Sequence, residues 1–218
     1  LMRIEPRMEQ IVSSDAQHRY LPYARKLLDE GVAFLWSAES VRVAPLSYIW
    51  PAIFGGNSAS IRSANVALFL ICLVLLWRIG LRLGGLPAAM TSTLLMVLHP
   101  ELHHYFPTEL TEPIFLFGAF LWIFGIVRIG EQPFQSNKYI ALAAIGLMLT
   151  LLVKPVLQVI CLLILITTLI IWLWPQNNQK KDNSIARQFA RAIALSTTFA
   201  LLPAAGVALK NGILFGVW

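Results

Sequence analysis

Two side chains, Glu112 and Lys154, stand apart by type and setting, and nine acidic residues, Asp15 among them, fall in the first 39 residues and in the loop that ends at Glu112. Two carboxylates arriving from separate loops at a membrane surface can act as a general base and its metal or hydrogen-bond partner. The competing reading is that loop acids are simply solvated. Glu112 sits at the mouth of an apolar run in TELTEPIFLF. Thr111 as N-cap, an acid in the first turn and an early proline would explain it by helix capping alone. A membrane-entrance acid is equally where a surface active site would put one. Lys154, flanked by LTLLV and PVLQV, is costly unless it reaches water or a negative partner. It either snorkels from a helix end or faces a phosphate as a point charge. His99, His103 and His104 gather beside Glu101. The first two have the spacing of paired ligands on one helix face, but Pro100 intervenes and no Cys or Asp completes a zinc pattern. Interfacial hydrogen bonding suits them better than metal ligation.

These residues are positioned by an unusually apolar chain. Of 218 residues, 57% are hydrophobic and 13% charged, against about 25% charged in a soluble domain. Water is therefore not its solvent throughout, and an integral membrane protein is expected. The formal charge of +6 is scattered along the chain, which argues against nucleic acid as a partner and for loop charges that set orientation. Cys72 and Cys161 lie inside apolar runs, where cysteine behaves as a small hydrophobe. The opening LMRIEPRMEQ shows no signal-peptide pattern.

Residues 1–60 read as an external layer. YARKLLDEG is expected to form a short amphipathic helix through Tyr20, Ala24, Leu27 and Leu28, with Gly31 as C-cap. A turn-rich connection with Pro45, Pro51, Gly55 and Gly56 follows. Residues 61–218 form the expected transmembrane core of six apolar runs: Ala64–Trp77, Leu86–Leu98, Pro113–Val127, Tyr139–Val153, Val156–Trp174 and Ala192–Leu209. Several fall short of the roughly 20 residues that a perpendicular span needs. Lys154-Pro155 must break the fourth from the fifth, because proline disfavours helical geometry in the residue before it. If the segments alternate, Arg78, Arg82, Arg128, Lys138, Lys180, Lys181, Arg187 and Arg191 share one side, and the other side's connections hold only Lys154 and Lys210. By the positive-inside rule, the first loop, the loop HPELHHYFPTELTEP and the Lys154 turn are external.

In order and composition these features resemble the GT-C superfamily of polytopic glycosyltransferases, nearest its dolichyl-phosphate-mannose-protein mannosyltransferase-like and aminoarabinose transferase-like branch. SDAQHRYLPYARKLLDEG is similar to that family's first external loop. APLSYIWPAIFGGNSASIRSANVAL resembles its proline-led amphipathic segment ending in Arg-x-x-Asn, and LHPELHHYFPTELTEPIFLF its second external loop. LMLTLLVKPVLQVI resembles an apolar run broken by a basic residue and proline, and ALKNGILFGVW the segment that follows. The chain departs from many relatives in having Ala16, not Glu, after Asp15. The resemblance implies an all-α transmembrane bundle cut from a longer chain at both ends, in a bacterial inner membrane with its site on the periplasmic face. It implies transfer of a sugar from a polyprenyl-phosphate donor to an acceptor lipid, glycan or protein. Asp15 would be the general base, Glu112 would act through a divalent metal ion or by orienting the acceptor, and Lys154 would stabilise the leaving phosphate, with Arg19 and His103 as lesser phosphate contacts. Two other classes compete. A transporter or flippase would carry polar groups near the bilayer midplane and internal repeats; the sequence shows few such polar groups and no repeat. In a non-catalytic membrane scaffold, Asp15, Glu112 and Lys154 would lie scattered.

Overall fold

The computed structural model describes residues 16–131, 136–155, 157–173 and 182–216, all of whose regular structure is helical. After a π-helical turn at Ala16–Tyr20 come α1 (Leu21–Glu30), two 3-10 turns (Gly31–Trp36 and Glu39–Arg42) and α2 (Pro45–Ile53). The long segment α3 (Ser58–Leu98) leads to the short α4 (Pro100–Tyr105), then α5 (Glu112–Glu131), α6 (Ser136–Val153), α7 (Leu157–Leu173) and α8 (Asp182–Phe215).

The segment α3 is two helices. Gly85 adopts φ +71°, in the left-handed region that glycine enters without a Cβ penalty. A Cβ on Gly80 would lie 2.6 Å from the Cα of Ala89, which a straight helix would place about 13 Å away. The chain therefore folds back at Gly84-Gly85, and Cys72 on one arm packs with Met96 on the other and with Phe106 beyond. The first two apolar runs are thus separate arms, as their sequence suggests. The arm of α3 before the turn, residues 58–83, and the helices Glu112–Glu131 and Phe189–Phe215 are long and apolar enough to cross a bilayer, whereas Asn137–Val153 and Leu157–Ile170 are apolar but shorter. These helices make the chain an integral membrane protein. The break expected at Lys154-Pro155 is present: α6 ends at Val153, and the amide of Leu157 bonds the carbonyl of Lys154 at 3.1 Å.

Lipid offers helices no hydrophobic reason to associate, so close packing through small residues does the work. The α5–α6 contact follows this rule. A Cβ on Gly118 would meet the Gly146 carbonyl oxygen at 2.7 Å, one on Gly146 would meet the Trp122 nitrogen at 2.5 Å, and one on Gly125 would meet the Ala143 nitrogen at 2.9 Å. Helix α6 is central, packing α5 on one side and α8 on another, while α7 packs on α8. Leu147, Leu151, Cys161, Ala200 and Ala204 form the shared core.

The first loop is a compact layer on one end of this bundle. Leu21 and Ala24 are buried on α1, and Gly31 ends that helix at φ +63°. Leu28, expected on the buried face, is 49% exposed, because the helix buries only a narrow stripe. The rings of Tyr23, Phe34 and Tyr48 meet edge-on or tilted, with centroids 5.6 to 6.2 Å apart. Burial pushes the Tyr48 phenol up to about 12. The stretch read as a turn-rich connection is corrected: Pro45 starts a helix at its first turn, where a missing N–H costs nothing. Only Gly55 and Gly56, at positive φ, make the turn. This helix packs on both α1 and α6.

Gly146→Ala is expected to lower stability in detergent by about 1–3 kcal/mol through overpacking against backbone that cannot yield. Gly206, with nothing within 4 Å of a built Cβ, is the matched control, and Gly206→Ala should leave the thermal midpoint no lower.

Candidate active site at the loop face

The second loop joins α4 to α5 and ends at Glu112, the first residue of α5. The polar partners it needs come from α3. Asn65 is fully buried. Its Nδ2 donates to the carbonyls of Thr108 (2.7 Å) and Leu110 (3.1 Å), while its Oδ1 accepts from Trp50 Nε1 on α2 (3.0 Å). One turn earlier, Arg62 reaches Glu109, with Nε and Nη2 at 2.9 and 2.8 Å from Oε1. The Glu109 side chain is only 8% exposed. Both residues of the Arg-x-x-Asn segment thus hold the three residues that lead into Thr111 and Glu112.

Glu112 meets Lys154 directly, with Oε1 3.2 Å from Nζ. The antiparallel α5–α6 contact explains the meeting: Glu112 opens one helix and Lys154 closes the other. The side chains are 29% and 43% exposed, respectively, so the pair lies at the surface of the bundle. The second Glu112 oxygen, Oε2, is buried without a hydrogen-bond partner. It is a carboxylate donor of the kind a divalent ion takes, but among the described residues no group of three or more His, Cys, Asp or Glu side chains gathers anywhere.

The remaining expected residues are distributed as follows. Asp15 lies outside the described residues. Arg19 is exposed on the π-helical turn, which packs against α1 and α2. His103 is exposed and its Nε2 donates to the Val97 carbonyl, which can only accept. His99 precedes α4 in extended geometry and Pro100 begins that helix, so His99 and His103 do not share a helix face. The sequence reading missed Arg62, Asn65 and Glu109 as a network, although the Arg-x-x-Asn spacing was visible. It also missed Lys210, whose Nζ donates to the Leu35 carbonyl (2.6 Å) and Ser40 Oγ (3.2 Å), tying the last helix to the first loop. In the first loop Lys26 pairs with Glu39, and the Glu39 carboxylate raises the lysine above its ordinary value.

These bonds place the first loop, the second loop, the Lys154 turn and Lys210 at one end of the bundle. At the other end Glu131 joins Arg82 and Arg128, and Arg128 also bonds Tyr139. The ion pairs of the described residues lie at these two ends. A double-mutant cycle of Glu112→Gln and Lys154→Gln is expected to give a stability coupling below about 1 kcal/mol, as for other partly exposed pairs. A larger coupling in thermal unfolding would mark the pair as a structural tie.

No curated protein and no solved structure matches the chain. A family model does, across residues 46–215, which hold the Arg62–Asn65 network, Glu112, Lys154 and Lys210 but begin after Asp15 and Arg19. That family consists of membrane glycosyltransferases of the GT-C type that use polyprenyl-phosphate-linked sugars. The chain belongs to the dolichyl-phosphate-mannose-protein mannosyltransferase family.

Proposed function

We propose that this chain transfers a sugar, in line with its family a mannose, from a polyprenyl phosphate to a hydroxyl of a protein, glycan or lipid acceptor at the external membrane face. The observation that carries the reading is the Glu112–Lys154 pair at the loop face. A donor anchored by its apolar chain carries its phosphate at the membrane boundary, and Lys154 stands at the end of an apolar helix there. The external assignment rests on the excess of Arg and Lys in the connections at the opposite end.

In this mechanism the acceptor oxygen attacks the anomeric carbon while its proton passes to the Asp15 carboxylate. The bond from that carbon to the phosphate oxygen breaks, and the electron pair leaves with the polyprenyl phosphate. Lys154 stabilises the charge that collects on the departing phosphate, and preorganised stabilisation of this kind contributes several kcal/mol, as a rough order. Glu112 accepts one of the three ammonium N–H donors of Lys154, and so aims the others. Arg19 is an additional phosphate contact. His103 would have to release the Val97 carbonyl or present its other ring nitrogen to serve as one. A divalent ion at this site would be held by Glu112 Oε2, which has no hydrogen-bond partner among the described residues, and would supply further stabilisation of the phosphate charge.

Turnover, measured in native membranes as release of polyprenyl phosphate from polyprenyl-phosphate-mannose, should fall about 100-fold or more in Lys154→Met and in Asp15→Asn. Wild-type turnover in both variants would sink the mechanism. Loss of turnover on chelation, restored by Mg2+ or Mn2+, is the result expected of the ion; turnover indifferent to chelation removes it from the proposal.

A further inference from the structure

Asn65 is given no part in the reaction, yet its side chain makes three hydrogen bonds beside the site. It is completely buried, and it bonds two carbonyls of one loop and an indole of another element. We propose that Asn65 is a positioning residue for Glu112, with Trp50 holding the amide in place. This rests on the role given to Glu112 above.

The reasoning is geometric. Residues 108–110 run in irregular backbone beside a membrane helix, where an unpaired carbonyl is costly. Asn65 Nδ2 spends both of its hydrogens on the carbonyls of Thr108 and Leu110. Only an amide or a cation at this depth offers two donors from one nitrogen, and a neutral amide does so without burying a charge. Arg62 holds the Glu109 carboxylate lying between those two carbonyls. Three consecutive residues are therefore pinned to α3, and Thr111, itself 1% exposed, passes the constraint directly to Glu112. The anchor on the other side is Trp50 of α2, a helix that also touches α6, which ends beside Lys154. Asn65 thus fixes the start of α5 relative to the two elements that frame the Glu112–Lys154 contact. A displacement of about 1 Å at a group acting on the reacting atoms can reduce turnover by about 100-fold, so this anchoring bears on rate as well as on folding.

Asn65→Asp keeps the shape and the acceptor for Trp50 but leaves at most one donor, the proton of a neutral acid, for the two carbonyls. In native membranes with polyprenyl-phosphate-mannose as donor, its kcat should fall between about 10- and 100-fold, with the donor KM changed less than about twofold. Placed in the Glu112→Leu background, which has no acceptor for Lys154, the same substitution should cause little further loss, because the group it positions is already gone. Equal loss in both backgrounds, or a change in donor KM in place of kcat, overturns the proposal and leaves Asn65 a structural residue only. Full turnover in Glu112→Leu alone overturns the reading of Glu112, and this inference with it. Should Asn65→Asp fail to accumulate, Trp50→Phe removes only the indole bond. It is expected to show a smaller loss of kcat that likewise vanishes in the Glu112→Leu background, and persistence of that loss there decides against the proposal.

Discussion

The site depends on how closely two helices can approach without side chains between them. Gly118, Gly125, Ala143 and Gly146 let the backbones of α5 and α6 touch, and no Cβ fits at the three glycines. In lipid this contact has to arise from packing, because burial in protein gains nothing over burial in hydrocarbon. Its consequence is chemical. Two antiparallel helices in backbone contact bring the first residue of one beside the residue that follows the other, and those residues are Glu112 and Lys154. A bulkier seam would separate the two side chains.

A second constraint acts on the loops. Irregular backbone next to a membrane must find partners within the protein, and here the transmembrane helices supply them. Asn65 and Arg62 serve the second loop, and Lys210 serves the first through the Leu35 carbonyl and Ser40. The aromatic cluster of Tyr23, Phe34 and Tyr48 then gives the first loop a small core of its own. The loop face is consequently built as a continuation of the bundle, and its position is set by helices from both halves of the chain.

Much of the architecture was legible because membrane insertion constrains composition so strongly. The apolar runs, the separation of the first two and the break at Lys154-Pro155 all follow from local sequence. The region around Pro45 and Pro51 was harder. Proline and glycine there suggested turns, yet Pro45 occupies a first helical turn and only the glycines turn the chain. Glu109 looked like any solvated loop acid, and nothing local distinguishes it from Glu101. Its burial arises from Arg62, which is distant in sequence. The histidines illustrate the converse, since Pro100 alone was enough to separate His99 from His103.

The sequence by itself determined that this is an all-helical membrane protein, that Glu112 opens an apolar helix, and that Lys154 stands where another is interrupted. Hydrophobic run length, proline and charge placement are local properties, and lipid leaves few alternatives to helix. Only the tertiary structure decided that Glu112 and Lys154 touch and that Asn65 holds the loop leading to the acid. Those contacts depend on which helix faces meet and how closely. Steric fit between small residues far apart in the chain settles that, and no local pattern records it.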